Sequence, residues 1–251
     1  MSKSALKPAT IHLKDYKAPE FLIDTIDLTF ELGEEETIVT SRLALQRSDP
    51  AAETLRLNGE HLELLSIAKD GEPLDKAGYD LTDKHLTLPV ATGEESFTLE
   101  IKTRLKPQEN TALEGLYKSS GNFCTQCEAQ GFRRITYYLD RPDVMAVFTT
   151  TIIGDGTRYP VMLSNGNLTE KAIVDGGRTS VTWHDPHPKP AYLFALVAGD
   201  LAVVEDHFTT RSGRNVKLQI FVEKGNEDKC GHAMTSLKKS MKWDEEKYGR
   251  E

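Results

Sequence analysis

Apolar and polar residues alternate with a period of two over much of the first two hundred positions. The clearest runs are residues 26–32, 39–45 and 97–105, where apolar side chains recur at nearly every second position. In the second run Ser41 takes the place of an apolar residue on the apolar side. Such alternation predicts β-strands that bury one face and expose the other, as in antiparallel sheets.

Short clusters of turn-forming or charged residues separate these runs. They lie at residues 34–36, 48–50, 58–59, 70–73 and 92–93. Further strands are expected at residues 135–139, 146–153, 171–174, 179–184 and 192–198. No helical period of useful length precedes residue 225. We therefore predict an all-β fold, a sandwich or folded-over sheet, with antiparallel or mixed strands.

The last fifty residues follow a different pattern. One more alternating strand is expected at residues 216–222, and a turn at residues 225–228 follows it. From Lys229 the apolar spacing changes to about 3.6 residues, which predicts an amphipathic helix. Its apolar face is expected to carry Cys230, Ala233, Met234, Leu237, Met241 and Tyr248. An amphipathic helix after a lone strand has little apolar surface in this sequence to pack against. Residues 201–251 are therefore predicted to begin a second domain.

Charge and hydropathy exclude two classes of partner. The 251 residues include 31 Lys and Arg against 39 Asp and Glu, a formal net charge of −8. No basic cluster offers the field that a phosphate backbone requires, and no apolar run approaches the roughly 20 residues that span a bilayer. We expect neither nucleic acid nor a membrane as a partner. Three cysteines, too few for a disulfide framework, favour a cytoplasmic protein.

Two short motifs contain residue types that bind metal ions. Cys124 and Cys127 form a C-x-x-C pair, and His184 and His187 lie in a proline-rich stretch. A closed zinc site needs four ligands, and the chain has no second C-x-x-C pair. The proline-rich stretch is expected to be a stiff, extended connector. We therefore predict no metal site in this chain and assign no role to the two cysteines.

The most unusual stretch is residues 110–143, where charged residues, aromatics and glycines are mixed without a period. Two interpretations stay open. In one, this is a partly buried loop in which Glu128 pairs with Arg133, Arg134 or Arg141. In the other, Glu128 is an anionic recognition group in a cleft. No complete catalytic motif is found in the chain, and the zinc-binding H-E-x-x-H pattern is among those missing.

Six segments of the chain resemble one known family. They are T-A-L-E-G-L-Y at 111–117, C-T-Q-C-E-A-Q-G-F at 124–132, I-T-Y-Y-L-D-R-P-D at 135–143, K-P-A-Y-L-F-A-L-V-A-G-D at 189–200, T-T-R-S-G-R at 209–214 and M-T-S-L-K-K-S-M-K-W-D-E-E at 234–246. The chain resembles the amino-terminal part of the bacterial aminopeptidase N family, whose members are zinc-dependent gluzincins. The likeness extends from about Tyr16 to the last residue.

The resemblance implies a domain organisation. Residues 1–200 would form an all-β, saddle-like domain, and residues 201–251 would form the first strands and helix of a truncated, thermolysin-like α+β catalytic domain. The family's zinc ligands, G-A-M-E-N segment and catalytic tyrosine would lie after residue 251. The resemblance thus implies a zinc metallo-aminopeptidase whose amino-terminal part, alone, binds no zinc and does not hydrolyse peptides.

The resemblance also assigns two substrate-binding residues. Glu128 matches the glutamate that binds the free α-amino group of a substrate, and Gln126 matches a glutamine that lines the pocket for the first side chain. The implied partners are peptides with a free amino terminus and the catalytic domain of the same chain. Apolar surface left on residues 201–251 is expected to favour self-association. The alternative is a free-standing β-sandwich that binds a peptide or protein without chemistry.

Overall fold

The chain folds mainly into β-strands. A computed structural model describes residue 10 and residues 12–251; the remaining residues of the expected 1–200 domain lie outside the described part. The strands are β1 (Phe21–Leu32), β2 (Thr37–Arg47), β3 (Thr54–Asn58), β4 (Glu63–Lys69), β5 (Glu72–Pro73), β6 (Asp80–Leu81), β7 (His85–Pro89), β8 (Ser96–Leu105), β9 (Gly115–Ser119), β10 (Asn122–Gln126), β11 (Met145–Gly154), β12 (Val161–Ser164), β13 (Asn167–Val174), β14 (Arg178–Pro190), β15 (Leu196–Gly199), β16 (Leu201–Thr209) and β17 (Asn215–Glu223). Helix α1 (Gly231–Tyr248) follows them. The prediction of an all-β fold before the helix is confirmed.

Eight strands form one large mixed sheet in the order β13-β14-β11-β1-β2-β8-β4-β5. Strands β1 and β11 run parallel, with Thr25 opposite Val147, and the other neighbouring pairs are antiparallel. The apolar sides predicted for β1, β2 and β8 are buried, and Ser41 is buried with them. The period-two pattern therefore identified the face that the core covers.

Two smaller sheets share the same core. A four-stranded sheet has the order β12-β15-β10-β9, and a three-stranded sheet has the order β3-β7-β6. Their buried residues belong to one hydrophobic cluster with those of the large sheet. Phe132, Phe148 and Phe194 meet within it, with ring centroids 5.4 to 5.9 Å apart. Contacts of this kind add to the stabilisation from burying aromatic area.

Three predictions of local structure are wrong. Residues 135–139 do not form a strand, because only Tyr138 pairs there, in an isolated bridge with Asn58. The strand expected at residues 192–198 begins only at Leu196, since residues 191–193 form a 3₁₀ turn. The proline-rich stretch is no connector but part of β14, where a bulge accommodates the prolines.

The segment after the sheets is a hairpin covered by a helix. Strands β16 and β17 pair from Leu201 opposite Glu223 to Thr209 opposite Asn215. A 3₁₀ turn, Glu227–Cys230, delays the start of the predicted helix. Gly249 ends the helix with a left-handed φ of 66° and donates its amide to the carbonyl of Glu245 at 3.1 Å.

The apolar face predicted for helix α1 is only partly buried. Cys230 and Met234 are buried and Met241 is half-buried, but Leu237 and Tyr248 are 39% and 69% exposed. A two-stranded hairpin is narrow, so it covers only one stripe of the helix. In the described part of the chain, no helix has the length and apolar character needed to cross a bilayer.

Candidate functional site

The two residues assigned from the resemblance lie at the end of strand β10. Gln126 is the last residue of the strand, and Glu128 begins the turn that follows. Both side chains are exposed, whereas Cys127 between them is buried. The Gln126 side chain donates a hydrogen bond from Nε2 to the main-chain oxygen of Glu128, at 3.1 Å. The fold thus brings the two residues together at the exposed end of strand β10.

The turn after Cys127 is closed by its own backbone. The amide of Gly131 donates to the carbonyl oxygen of Cys127 at 2.8 Å, and the peptide bond between Glu128 and Ala129 is cis. Cys127 and Gly131 are buried, while residues 128–130 are exposed. The turn therefore presents Glu128 to solvent from two anchored ends.

A buried ion pair holds the segment directly after this turn. Arg133 Nε lies 2.9 Å from Asp140 Oδ2, and the Arg133 backbone amide donates to the same oxygen at 3.2 Å. The Asp140 side chain is only 2% exposed. Burial raises the pKa of Asp140, and the hydrogen bonds from Arg133 oppose that rise. The pair ties together the two ends of residues 133–140.

The other two arginines considered as partners of Glu128 are also paired elsewhere. Arg134 Nε lies 3.0 Å from Glu114 Oε2, and Arg141 Nε lies 2.6 Å from Asp143 Oδ1. Glu128 itself forms no ion pair with any residue that the structure describes. The interpretation in which Glu128 pairs with Arg133, Arg134 or Arg141 is therefore wrong.

Hydroxyl groups from the large sheet hold the same segment from beneath, and sequence reasoning did not find this role. Thr103 donates from Oγ1 to the carbonyl oxygen of Ile135 at 3.0 Å. The hydroxyls of Ser41 and Thr136 lie 2.7 Å apart. The sequence does contain a signal for this role. Ser41 interrupts an apolar strand face, and a buried polar group there needs a hydrogen-bond partner.

The hairpin β16–β17 lies close to the strand that presents Gln126. Cys124 is on the same side of β10 as Gln126, since residues two apart share a face. Burial and, second, the negative charge of Glu223 on β17 raise the pKa of the Cys124 thiol. A cleft of about 570 Å³ between the two elements is lined by residues that include Asn122, Asp200 and Glu223.

The cysteines and histidines considered as metal ligands do not converge. Burial raises the pKa of the Cys127 thiol, which disfavours the thiolate that binds metals. His184 Nδ1 lies 3.1 Å from Thr149 Oγ1, and His187 is exposed. Among residue 10 and residues 12–251, no three His, Cys, Asp or Glu side chains are grouped to hold a metal ion. The described residues thus form no group that fits a zinc ion. The resemblance places the family's zinc ligands after residue 251.

The sequence that builds this turn and its supports is that of a known family. Residues 20–193 match the Peptidase M1 N-terminal domain. The chain belongs to this family. Its Peptidase M1 match includes Gln126, Glu128 and the ion pair between Arg133 and Asp140.

Relatives in bacteria carry the same segment within longer proteins. The chain is 51% identical to aminopeptidase N of Escherichia coli strain K12 over 245 residues, which is 98% of this chain and 28% of that protein. It is 48% identical to aminopeptidase N of Caulobacter vibrioides over 244 residues, or 97% of this chain and 28% of that protein. The chain thus spans little more than a quarter of the length of these relatives.

A solved structure has the same fold. Aminopeptidase A of Legionella pneumophila, solved in complex with aspartic acid, matches with a TM-score of 0.90 and 37% sequence identity. The match covers 95% of this chain and 28% of that one. The resemblance to the bacterial aminopeptidase N family that the six sequence segments indicate is confirmed.

Proposed function

We propose that this chain is the amino-terminal part of a zinc metallo-aminopeptidase, an enzyme that removes residues from the amino terminus of peptides. In this part Glu128 binds the α-ammonium group of the substrate, and Gln126 lines the pocket for the first side chain. The rest of the protein supplies zinc and the catalytic groups, so this chain alone does not hydrolyse peptides. The observation that carries the proposal is the exposed Glu128 carboxylate, free of ion pairs within the described residues, on a turn with anchored ends.

A carboxylate at this position suits an enzyme that must find a chain end. The charged ammonium is the group that an internal peptide bond lacks. A hydrogen bond between a carboxylate and an ammonium contributes about 1.5–3 kcal/mol net. An internal peptide bound in the same place would leave the Glu128 carboxylate desolvated and unpaired, which disfavours such binding further. Recognition by Glu128 therefore selects for a free amino terminus.

The hydrogen bond from Gln126 supports the same chemistry. A main-chain oxygen only accepts hydrogen bonds, so the Gln126 nitrogen faces the carbonyl of Glu128 and its Oε1 stays available. An ammonium group has three N–H donors. The Glu128 carboxylate and Gln126 Oε1 would together offer it acceptors at the end of strand β10.

The charges around the turn leave the Glu128 carboxylate available. Arg133 is paired with Asp140, and Arg134 with Glu114. Cations already held by other carboxylates do not neutralise Glu128, so its field can attract an incoming ammonium. This arrangement favours recognition of a cation over a purely structural role.

Residues 201–251 are proposed to begin the catalytic domain that completes the site. The hairpin lies beside Asn122 and Cys124 of β10, so the domain that it begins would continue next to the strand that presents Gln126. Leu237, Trp243 and Tyr248 on helix α1 are 39%, 50% and 69% exposed, which is apolar surface that a further domain of the same chain would cover. Without that domain we expect the fragment to self-associate. Three cysteines without disulfides support a cytoplasmic location.

The experiment is to replace Glu128 by Ala in the full-length protein that contains this chain. We expect kcat/KM for peptides to fall about 10- to 200-fold, which corresponds to the loss of one charged hydrogen bond. Glu128→Gln keeps the shape and removes the charge, and a similar fall is expected. Hydrolysis rates at several peptide concentrations give kcat and KM separately.

A matched control removes an exposed carboxylate elsewhere. Glu95 is exposed beside strand β8, and Glu95→Ala should leave kcat/KM within about twofold of the parent, as surface changes usually do. Unchanged kinetics in Glu128→Ala would refute the assignment of Glu128.

A further inference from the structure

Gly131 closes the Glu128 turn at a position where the backbone does not require glycine. Its φ of −85° and ψ of −16° are ordinary values that any L-residue adopts. The residue is nevertheless buried. Glycine in such a conformation indicates that space, rather than a left-handed backbone, excludes a side chain.

A methyl group on Gly131 would collide with main-chain atoms. It would overlap the carbonyl oxygen of Gln126 and lie 3.0 Å from the amide nitrogen of Gly115 and 3.1 Å from the Cα of Cys127. A side chain in the way can rotate aside, but backbone atoms move only if the segment moves. Any larger residue at position 131 must therefore shift the end of strand β10 relative to the turn that follows it.

The displaced atoms belong to the segment that presents the substrate-binding side chains. The contacted Gln126 and Cys127 immediately precede Glu128, and the amide of Gly131 also donates to the carbonyl of Cys127. We propose that Gly131 is a positioning residue for substrate recognition: its missing side chain sets where the Glu128 carboxylate lies. This inference rests on the proposed function of Glu128.

The test combines Gly131→Ala with Glu128→Ala in the full-length protein. Gly131→Ala alone should lower kcat/KM about 10- to 100-fold, because a shift of about 1 Å in a binding group can cost two orders of magnitude. In the Glu128→Ala background the same change should cost less than about twofold, since the group that it displaces is already gone. A merely structural glycine would lower activity equally in both backgrounds.

A second glycine provides a matched control. Gly33 lies in the turn between β1 and β2, and a methyl group there would lie 2.6 Å from the carbonyl oxygen of Glu36. Gly33→Ala therefore introduces a backbone collision that involves Glu36 and no residue of strand β10. Its kcat/KM should stay within about twofold of the parent, and thermal unfolding should show all variants folded.

The outcomes separate the two proposals. The positioning role is overturned if Gly131→Ala lowers kcat/KM equally with and without Glu128, or if it leaves kcat/KM unchanged. It is also overturned if the Gly131→Ala variant does not fold at any temperature. If Glu128→Ala alone has no effect, the proposed function of Glu128 is wrong instead. A loss in the parent background that disappears in the Glu128→Ala background supports both.

Discussion

Two neighbouring stretches of the chain place their acidic residues in opposite surroundings. Glu128 lies on the turn 127–131, exposed to solvent and without an ion pair within the described residues. Asp140, twelve residues later, is 2% exposed and accepts hydrogen bonds from the side chain and backbone of Arg133. The same functional group thus contributes to stability in one stretch and stays available for a ligand in the other.

The comparison teaches how the fold supports the exposed carboxylate that we propose as a binding group. The segment after the turn is locked by Asp140, Thr103 and Ser41, whose polar atoms have partners inside the protein. Breaking a hydrogen bond between buried polar groups is costly, because it leaves a buried donor or acceptor without a partner. A rigid support of this kind lets Glu128 remain in a defined position although its own side chain has little to hold it.

The largest expected effect is on the buried carboxylate. Asp140→Ala should lower the free energy of unfolding by about 3 kcal/mol, because the largely buried Arg133 charge then has only the longer pair with Glu60, at 3.9 Å. Glu128→Ala, the matched change in the exposed stretch, should alter it by no more than about 0.5 kcal/mol. Urea denaturation of the chain measures both. Similar losses for the two variants would contradict the division between a stabilising and a binding carboxylate.

A smaller effect is expected at the hydroxyl beneath the segment. Thr103→Val keeps the side-chain shape but leaves the Ile135 carbonyl without its buried donor, which should cost about 1–3 kcal/mol. The control is Thr98→Val on the same strand, whose hydroxyl donates to Asp70 at 3.1 Å at an exposed place. Its cost in the same denaturation experiment should be below about 0.5 kcal/mol. If Thr103→Val and Thr98→Val lower the free energy of unfolding equally, burial does not explain the contribution of Thr103.

The smallest effect concerns the pH dependence of stability at Asp143, just beyond the locked segment. Hydrogen bonds from Arg141 lower the pKa of Asp143 below its ordinary value of 3.8. The carboxylate therefore stabilises the folded state above that ordinary value, and this contribution is lost as pH falls through the folded-state pKa. Asp143→Asn should flatten the loss of stability below about pH 4. Unfolding midpoints at pH 3 and 6, with Asp83→Asn as an exposed control, measure this; identical slopes in the parent and Asp143→Asn would count against it.

Strands with one solvent-exposed face could be predicted because their alternating pattern is local in sequence. Residues 26–32 and 97–105 alternate as the pleat requires, and the structure buries the predicted sides. The same reasoning failed at residues 135–139, because Ile135 to Tyr138 are all buried rather than alternately buried and exposed. Their positions depend on contacts with Thr103 and Ser41 from distant strands. The helix was found from its period, but the width of its buried stripe depended on the narrow hairpin beneath it.

The candidate site divides in the same way. The motif around them marks Gln126 and Glu128 as candidate binding residues, whereas the role proposed for Gly131 and the ion pair of Asp140 depend on their surroundings in the fold. Their importance comes from contacts that the linear pattern does not display, such as a carbonyl oxygen where a methyl group would lie.

Side-chain periodicity determined most of the strands and the helix, and the family motif determined which two residues we propose for substrate binding. Tertiary structure alone decided which carboxylates of the described residues form ion pairs and which, Glu128 among them, do not. The physical reason is that an ion pair or a close backbone contact depends on distances between residues far apart in sequence, and those distances exist only after the sheets have packed.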